Sequence, residues 1–242
     1  MPDGAPFWRR PRWLATAVTV TVVVVAAVVV VAVHGSLTRS PGAGPATRAA
    51  TPTASSTASA GERAAGCRTD DADQSVPTET PDDVSWRNAG PTLVPVSASA
   101  GPLHHTGPVW SCYARTPMGA VLAAHVIPAQ LQTRRWRTVV DQSVVDDAGR
   151  DAFLKASEGQ TFTPLSPGQV AQPTGWQILT YTRDQATVET LTATAPHAWK
   201  ETTRTVAWNH GDWRLVMTPS GADGSEPQPI ATTNGFIRWP DA

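Results

Sequence analysis

Residues Trp176–Met217 read WQILTYTRDQATVETLTATAPHAWKETTRTVAWNHGDWRLVM. Four pieces of this stretch, WQILTYT (176–182), ATVETLTAT (186–194), TTRTVAW (202–208) and WRLVM (213–217), are short and rich in Thr, Val and aromatic residues. That is the composition of β-strands. Asn209-His210-Gly211-Asp212 is a turn signal between the last two. It sets Trp208 against Trp213 across a hairpin, where an aromatic pair contributes a few tenths to about 1 kcal/mol. Trp213, Leu215 and Met217 alternate with Arg214, which predicts one buried face. Gly235–Trp239 is expected to add a short C-terminal strand or a docking tail.

Upstream the period changes. Thr116 reads as an N-cap with Pro117 at the first helical position. Val121, Leu122 and Ile127, with the alanines, give a helix-like apolar face. Pro128 is expected to end or kink that helix and to open the next. Leu131, Trp136, Val139 and Val140 supply an approximate stripe for a second helix over 129–144. Asp147 caps a third, which holds Phe153 and Leu154 and is closed by Gly159. Residues 67–110 carry many Pro, Gly and Asp, with VSW (84–86) and TLVPVS (92–97) as short extended pieces. Helices followed by an antiparallel meander predict an α+β fold, with helices packed on one face of a curved sheet.

The N-terminal third has a different character. LATAVTVTVVVVAAVVVVAV (14–33) contains no charge, Gly or Pro and has the length of a bilayer-spanning helix. Arg9, Arg10 and Arg12 precede it, with Trp8 and Trp13 at the expected interface. A cleaved signal peptide is the alternative, but this run is longer than a signal h-region and Ala32-Val33-His34 is a poor cleavage site. The reading is a cell-membrane, single-pass protein with residues 1–13 cytoplasmic and residues 67–242 exported. Residues 34–66, rich in Ala, Thr, Ser, Pro and Gly, are expected to be a disordered linker. Such a chain spans roughly 30 Å as a coil and keeps the exported domain near the membrane.

From Cys67 onward there are thirteen Lys/Arg against eighteen Asp/Glu. An acidic domain lacks the basic footprint of bulk nucleic-acid binding, so no direct nucleic-acid contact is expected. The two cysteines, Cys67 and Cys112, both follow the anchor, and an oxidising compartment makes a disulfide the default. Closing a loop of that size is worth roughly 4 kcal/mol in the chain-entropy model. A catalytic thiol competes, weakened because the second cysteine can consume the first.

Three segments suggest a family: Cys112–Ala124 (CYARTPMGAVLAA), Asp184–Val188 (DQATV) and Trp208–Leu215 (WNHGDWRL). They resemble the exported domains of actinobacterial single-pass proteins of integrative conjugative elements and plasmids. That group in turn resembles the nuclear-transport-factor-2-like (cystatin-like) domains of scaffold subunits in conjugative type IV secretion machines. The resemblance covers about residues 67–242 together with the anchor. It implies helices on a curved antiparallel sheet, no catalytic residues, and membrane-protein partners in a transfer apparatus. The segment before Cys112 and the loop from Thr161 to Gly175 fall outside the comparison.

Other groupings carry little chemistry. The pair His104-His105 lacks a third ligand at helical spacing, so no metal is expected. Asp82-Asp83 and Asp146-Asp147 are adjacent residues that point apart, and Asp at a helix N-terminus has a dipole reason to be there. Ser111 has no nucleophile elbow around it, and phosphate-loop, dinucleotide and zinc-helix motifs do not occur. No cofactor and no catalytic set are expected. His125 lies on the first helix as a satisfied, half-buried imidazole. Arg134, Arg135, Trp136 and Arg137 form the one basic-aromatic cluster of the exported part. It is a candidate interaction patch for anionic lipid, wall polymer or a partner protein, against the ordinary reading of an inward Trp136 with solvated arginines. Most of the domain's tryptophans are expected to fill the core; an exposed sugar-binding strip is the alternative.

The expected function is that of a non-enzymatic, membrane-tethered scaffold or accessory protein of a conjugative DNA-transfer apparatus, with a second copy of the chain among its candidate partners. The alternative is a wall-proximal ligand-binding or hydrolytic domain that uses an internal cavity.

Overall fold

The computed structural model describes residues 63, 66–67, 69–160, 162–163, 170 and 172–240. The segments read as cytoplasmic tail (1–13), membrane helix (14–33) and, Arg63 and Gly66 apart, linker (34–66) lie outside the described residues. Among the described residues no helix is long and apolar enough to cross a membrane. The elements run β1 (Val84–Ala89), β2 (Thr92–Ser97), α1 (Pro117–Leu131), α2 (Trp136–Ser143), α3 (Ala148–Ala156), β3 (Gln172–Tyr181), β4 (Gln185–Ala195), β5 (Ala198–Asn209), β6 (Asp212–Val216), β7 (Gln228–Ile230) and β8 (Ile237–Arg238). This is an α+β domain.

The meander forms as expected. β3, β4, β5 and β6 pair antiparallel in sequence order, β8 joins the outer edge of β3, and β7 pairs with the start of β5. At the β5–β6 turn His210 and Gly211 have φ of 51° and 79°. Two positive φ values define the tight hairpin turn whose twist matches the strands, and glycine takes the second of them without strain. Trp208 then faces Trp213 in register, edge to face at 5.5 Å between ring centroids. Two strands start earlier than their composition suggests. β3 begins at Gln172 and β5 at Ala198. Pro173 and Gly175 are poor strand formers, but Gly175 is paired on both sides, with Leu191 and with Arg238, so the neighbouring strands decide the extension.

The inner face of the sheet carries Trp176, Ile178, Ala186, Val188, Val206, Trp213 and Leu215 toward α1. Thr116 caps α1 by accepting from the Gly119 N–H (3.2 Å), with Pro117 in the first turn. Every residue of α1 from Pro117 to Gln130 is buried. A helix that is apolar all round must be enclosed, and α1 packs on β3–β6, on α2 and on the β1–β2 hairpin. α1 lies on the sheet as expected, and the β1–β2 hairpin packs against it as well. Pro128 does not end α1 as expected. It stands within the final turn and the helix runs on to Leu131, so the break falls at residues 132–135. A late proline disturbs only the carbonyl one turn before it, and little helix remains to be lost. Asp147 caps α3 by accepting from the Arg150 N–H (3.0 Å), as anticipated.

Close packing of α1 depends on a missing side chain. A Cβ built on Gly119 would lie 1.9 Å from the Ala114 carbonyl oxygen. Helix propensity alone favours Gly→Ala by about 1 kcal/mol. The backbone contact outweighs it, because overpacking costs typically 1–3 kcal/mol and more when backbone must move. Gly119→Ala is therefore expected to destabilise the domain by about 2 kcal/mol, read from the urea unfolding midpoint; a stabilising result would mean the α1–Ala114 contact is looser than described.

Candidate functional site

The tip of the β5–β6 hairpin clamps the segment that leads into α1. One Asp212 carboxylate oxygen accepts from the Cys112 N–H (2.7 Å), and the other accepts from the N–H groups of Tyr113 and Trp213 (3.0 Å each). The Trp213 indole N–H donates to the Ala114 carbonyl at 2.8 Å. Burial pushes the Asp212 carboxyl above its ordinary range, while the three backbone donors and the Arg63 charge pull it back. Cys112 itself takes φ of 70°, uncommon for a side-chain-bearing residue. Cys67 is joined to it at disulfide distance, with Cα atoms 5.2 Å apart. Arg63, within the stretch read as linker, ion-pairs with Asp71 at 2.6 Å and lies over the Trp208 ring at 4.8 Å. The Trp208–Trp213 hairpin is thus a structural clasp.

The residues singled out from the sequence are spread over several places. His104 Nδ1 lies 3.4 Å from Cys112 Sγ, so Cys67, His104 and Cys112 crowd together. The bridge leaves no thiolate in that group to serve a metal. His105 turns away and packs edge-on against Trp110 at 6.0 Å. Asp83 clasps the β1–β2 hairpin through Ser97 (2.9 Å) and the Ser99 N–H (2.7 Å). Asp146 pairs with Arg150 at 2.8 Å while Asp147 caps α3. None of these carboxylates faces another across a cleft.

The Arg134–Arg137 cluster sits at the corner between α1 and α2. Trp136 is buried against Phe153, Arg137 stacks over the outer face of Trp136 at 4.3 Å, and Arg134 and Arg135 are exposed. Arg135 also lines an open cleft of about 500 Å³ with His105, Trp110 and Gln130.

A second cavity, of about 340 Å³, lies between the C-terminal half of α1 and the polar end of the sheet's inner face. There Arg204 stands opposite Val188, and the next inner-face pairs are Thr190 with Thr202 and Thr192 with Lys200. Arg204 donates to the Thr190 hydroxyl and, at 3.2 Å, to Asp223. The inner wall is His125. Its Nδ1–H donates to the Val121 carbonyl (2.9 Å), so Nε2 is the acceptor for the Trp239 indole N–H (3.3 Å). The imidazole is neutral and fully buried, more so than the half-buried state expected, because β8 brings Trp239 over it.

Burial, assisted by the Arg204 charge and opposed by the Val121 carbonyl, lowers the His125 pKa to about 4. The unfolded chain has the ordinary value near 6.5. A depressed histidine contributes stability that is fully present above pH 6.5 and is lost as pH falls toward 4. The expected loss is about 3 kcal/mol over that window. His125→Gln, which keeps an acceptor for Trp239 without titrating, should flatten the pH dependence of the unfolding midpoint between pH 6.5 and 4. An unchanged slope would refute the assignment.

The comparisons with known proteins bear on the whole of this domain. The model of a domain of unknown function, DUF8175, matches residues 36–238. The chain belongs to the DUF8175 family. No match exists among curated proteins or among solved structures. In this DUF8175 chain, sequence reasoning missed Arg204, Lys200 and the threonines around them as members of one site. A signal was available: Thr190, Thr192 and Thr194 recur at period two on one strand and Lys200, Thr202 and Arg204 on the next. Their common enclosure beneath α1 depends on the register of β4 and β5.

Proposed function

We propose that this DUF8175 chain is a single-pass, membrane-tethered extracytoplasmic protein that acts by protein–protein contact as a scaffold or accessory subunit of a conjugative DNA-transfer apparatus. In this reading residues 14–33 span the membrane, the described α+β domain is of the nuclear-transport-factor-2-like type, and the protein performs no catalysis. The observation that carries it is the exposed arginine corner, Arg134, Arg135 and Arg137 around the anchoring Trp136, beside an open cleft. Arginine next to buried aromatic surface is the chemistry that protein interfaces favour. The anchor, the tether and the resemblance of the 112–124 and 208–215 segments to conjugation proteins support the setting. A photo-crosslinking residue at Arg134, followed by mass spectrometry, should capture transfer-apparatus subunits, and Arg134/Arg135/Arg137→Glu should lower conjugation frequency by at least tenfold. If deleting the gene from its native element leaves transfer frequency unchanged, the reading fails.

A second reading, a ligand-binding domain, is favoured by one observation: the half-open cavity beneath α1, lined by Arg204, Lys200 and hydroxyls.

A further inference from the structure

The cavity under α1 has walls of two kinds. Pro128 and Ala129 on α1, facing Pro173 and Pro227, are apolar. The β5 side carries Lys200, Thr202 and Arg204, which share a face because they lie at alternate positions of one strand. Among the described residues no carboxylate lines the cavity. Among the described residues Lys200 has no ion-pair partner, and Arg204 has only the half-exposed Asp223.

The charged hydrogen-bonding capacity at these walls is donor capacity. Thr190 and Thr192 spend their hydroxyl protons on the Thr202 and Lys200 carbonyls. Both His125 nitrogens are engaged. The Lys200 ammonium and the Arg204 Nε–H remain as cationic donors, beside the Gln132 amide and the Thr92 and Thr202 hydroxyls, which both donate and accept. Thr92 is more than nine-tenths buried at the cavity wall, and among the described residues neither its Oγ1 nor the Arg204 Nε has a partner. Buried polar atoms are nearly always satisfied, so unpaired donors at a cavity wall point to an acceptor that enters it. A cavity of about 340 Å³ is at the small end of ordinary ligand sites, roughly 300–1,000 Å³.

We infer that this cavity binds a small amphiphilic anion, its oxyanion head held by Arg204 and Lys200 and its apolar body lying against the prolines of α1 and the sheet edge. The inference rests on the ligand-binding reading above and adds the charge and chemical class of the guest. A fork of guanidinium donors and a point-charge ammonium suit carboxylate and phosphate alike.

Isothermal titration of the full chain in detergent, at fixed ionic strength, tests it with three probes of similar size: benzoate, phenyl phosphate and neutral benzyl alcohol. Saturable binding of benzoate or phenyl phosphate is expected, at least tenfold tighter than benzyl alcohol, and the preferred head distinguishes a carboxylate from a phosphate source. Arg204→Met and Lys200→Met should each weaken that binding at least tenfold. Lys200 is exposed, so its variant keeps the test valid should Arg204→Met fail to fold. Benzyl alcohol binding as well as the anions would overturn the anion class while leaving a ligand pocket. Absence of binding by both anions, or binding unchanged in the Lys200 variant, would overturn the inference outright.

Discussion

Trp213→Ala is expected to cost the domain about 4 kcal/mol, the upper part of the range for deleting a buried tryptophan. The indole is 1% exposed, at the centre of the layer between sheet and α1. Its N–H holds the Ala114 carbonyl at 2.8 Å, two residues before the Thr116 cap. It also carries the edge-to-face contact with Trp208 and lies beside Tyr181 at 6.3 Å between centroids. Truncation therefore leaves a cavity, an unpaired carbonyl and a loosened entry to α1 together. With native stabilities of about 5–15 kcal/mol, a loss of this size takes much of the margin. Urea unfolding followed by tryptophan fluorescence measures it. Trp208→Ala, at a half-buried position of the same hairpin, should cost clearly less. Equal effects would mean that the buried contacts of Trp213 are not what stabilises the clasp.

Removing the bridge is the second large effect. Cys67→Ser with Cys112→Ser should lower stability by about 4 kcal/mol, because the bridge closes a loop of 45 residues whose freedom the unfolded chain regains. The consequence should be local as well as global. Cys112 and Tyr113 are also held by Asp212, so the 112–114 segment should stay docked, while Cys67 loses its covalent tie and the segment after it keeps only hydrogen bonds such as those of Asp71 and Gln74 to Arg115. Hydrogen exchange should rise in that N-terminal segment and change little at β6. Uniform loss of protection across both would show that the bridge, not the Asp212 clamp, seats the segment.

Local chemistry explains why parts of this architecture are readable without coordinates. The Asn209–Asp212 turn, the Thr116 and Asp147 caps and the Trp213/Leu215 alternation involve residues within a few positions of one another, and each appears where its pattern says it should. The α1 break was misplaced because Pro128 is a local stop signal, whereas burial on all sides of α1 decides where the helix ends. The β1–β2 hairpin was legible only as extended pieces. Nothing near it in sequence states that it packs against α1.

The candidate sites divide in the same way. Trp136 facing inward with arginines outside was anticipated, although Arg134 and Arg135 stand in the turn before α2 and not on the helix. The cavity was not, since Thr92, His125 and the Lys200/Arg204 pair come from three distant parts of the chain. His125 is a sharper case. Its placement on α1 is a matter of period, but its neutral state depends on Trp239, 114 residues away, delivered by the pairing of β8 with β3.

By itself the sequence determined the α+β class, the capped helices, the antiparallel meander and the cysteine pair, because each of these depends on periodicity, turn chemistry or compartment. Tertiary structure alone decided that α1 is enclosed on every side, that Asp212 spends its carboxylate on three backbone donors, and that two basic residues and a set of threonines share one cavity. Those outcomes depend on strand register and on which faces meet, and register is set by the sum of long-range contacts that no short stretch of chain contains.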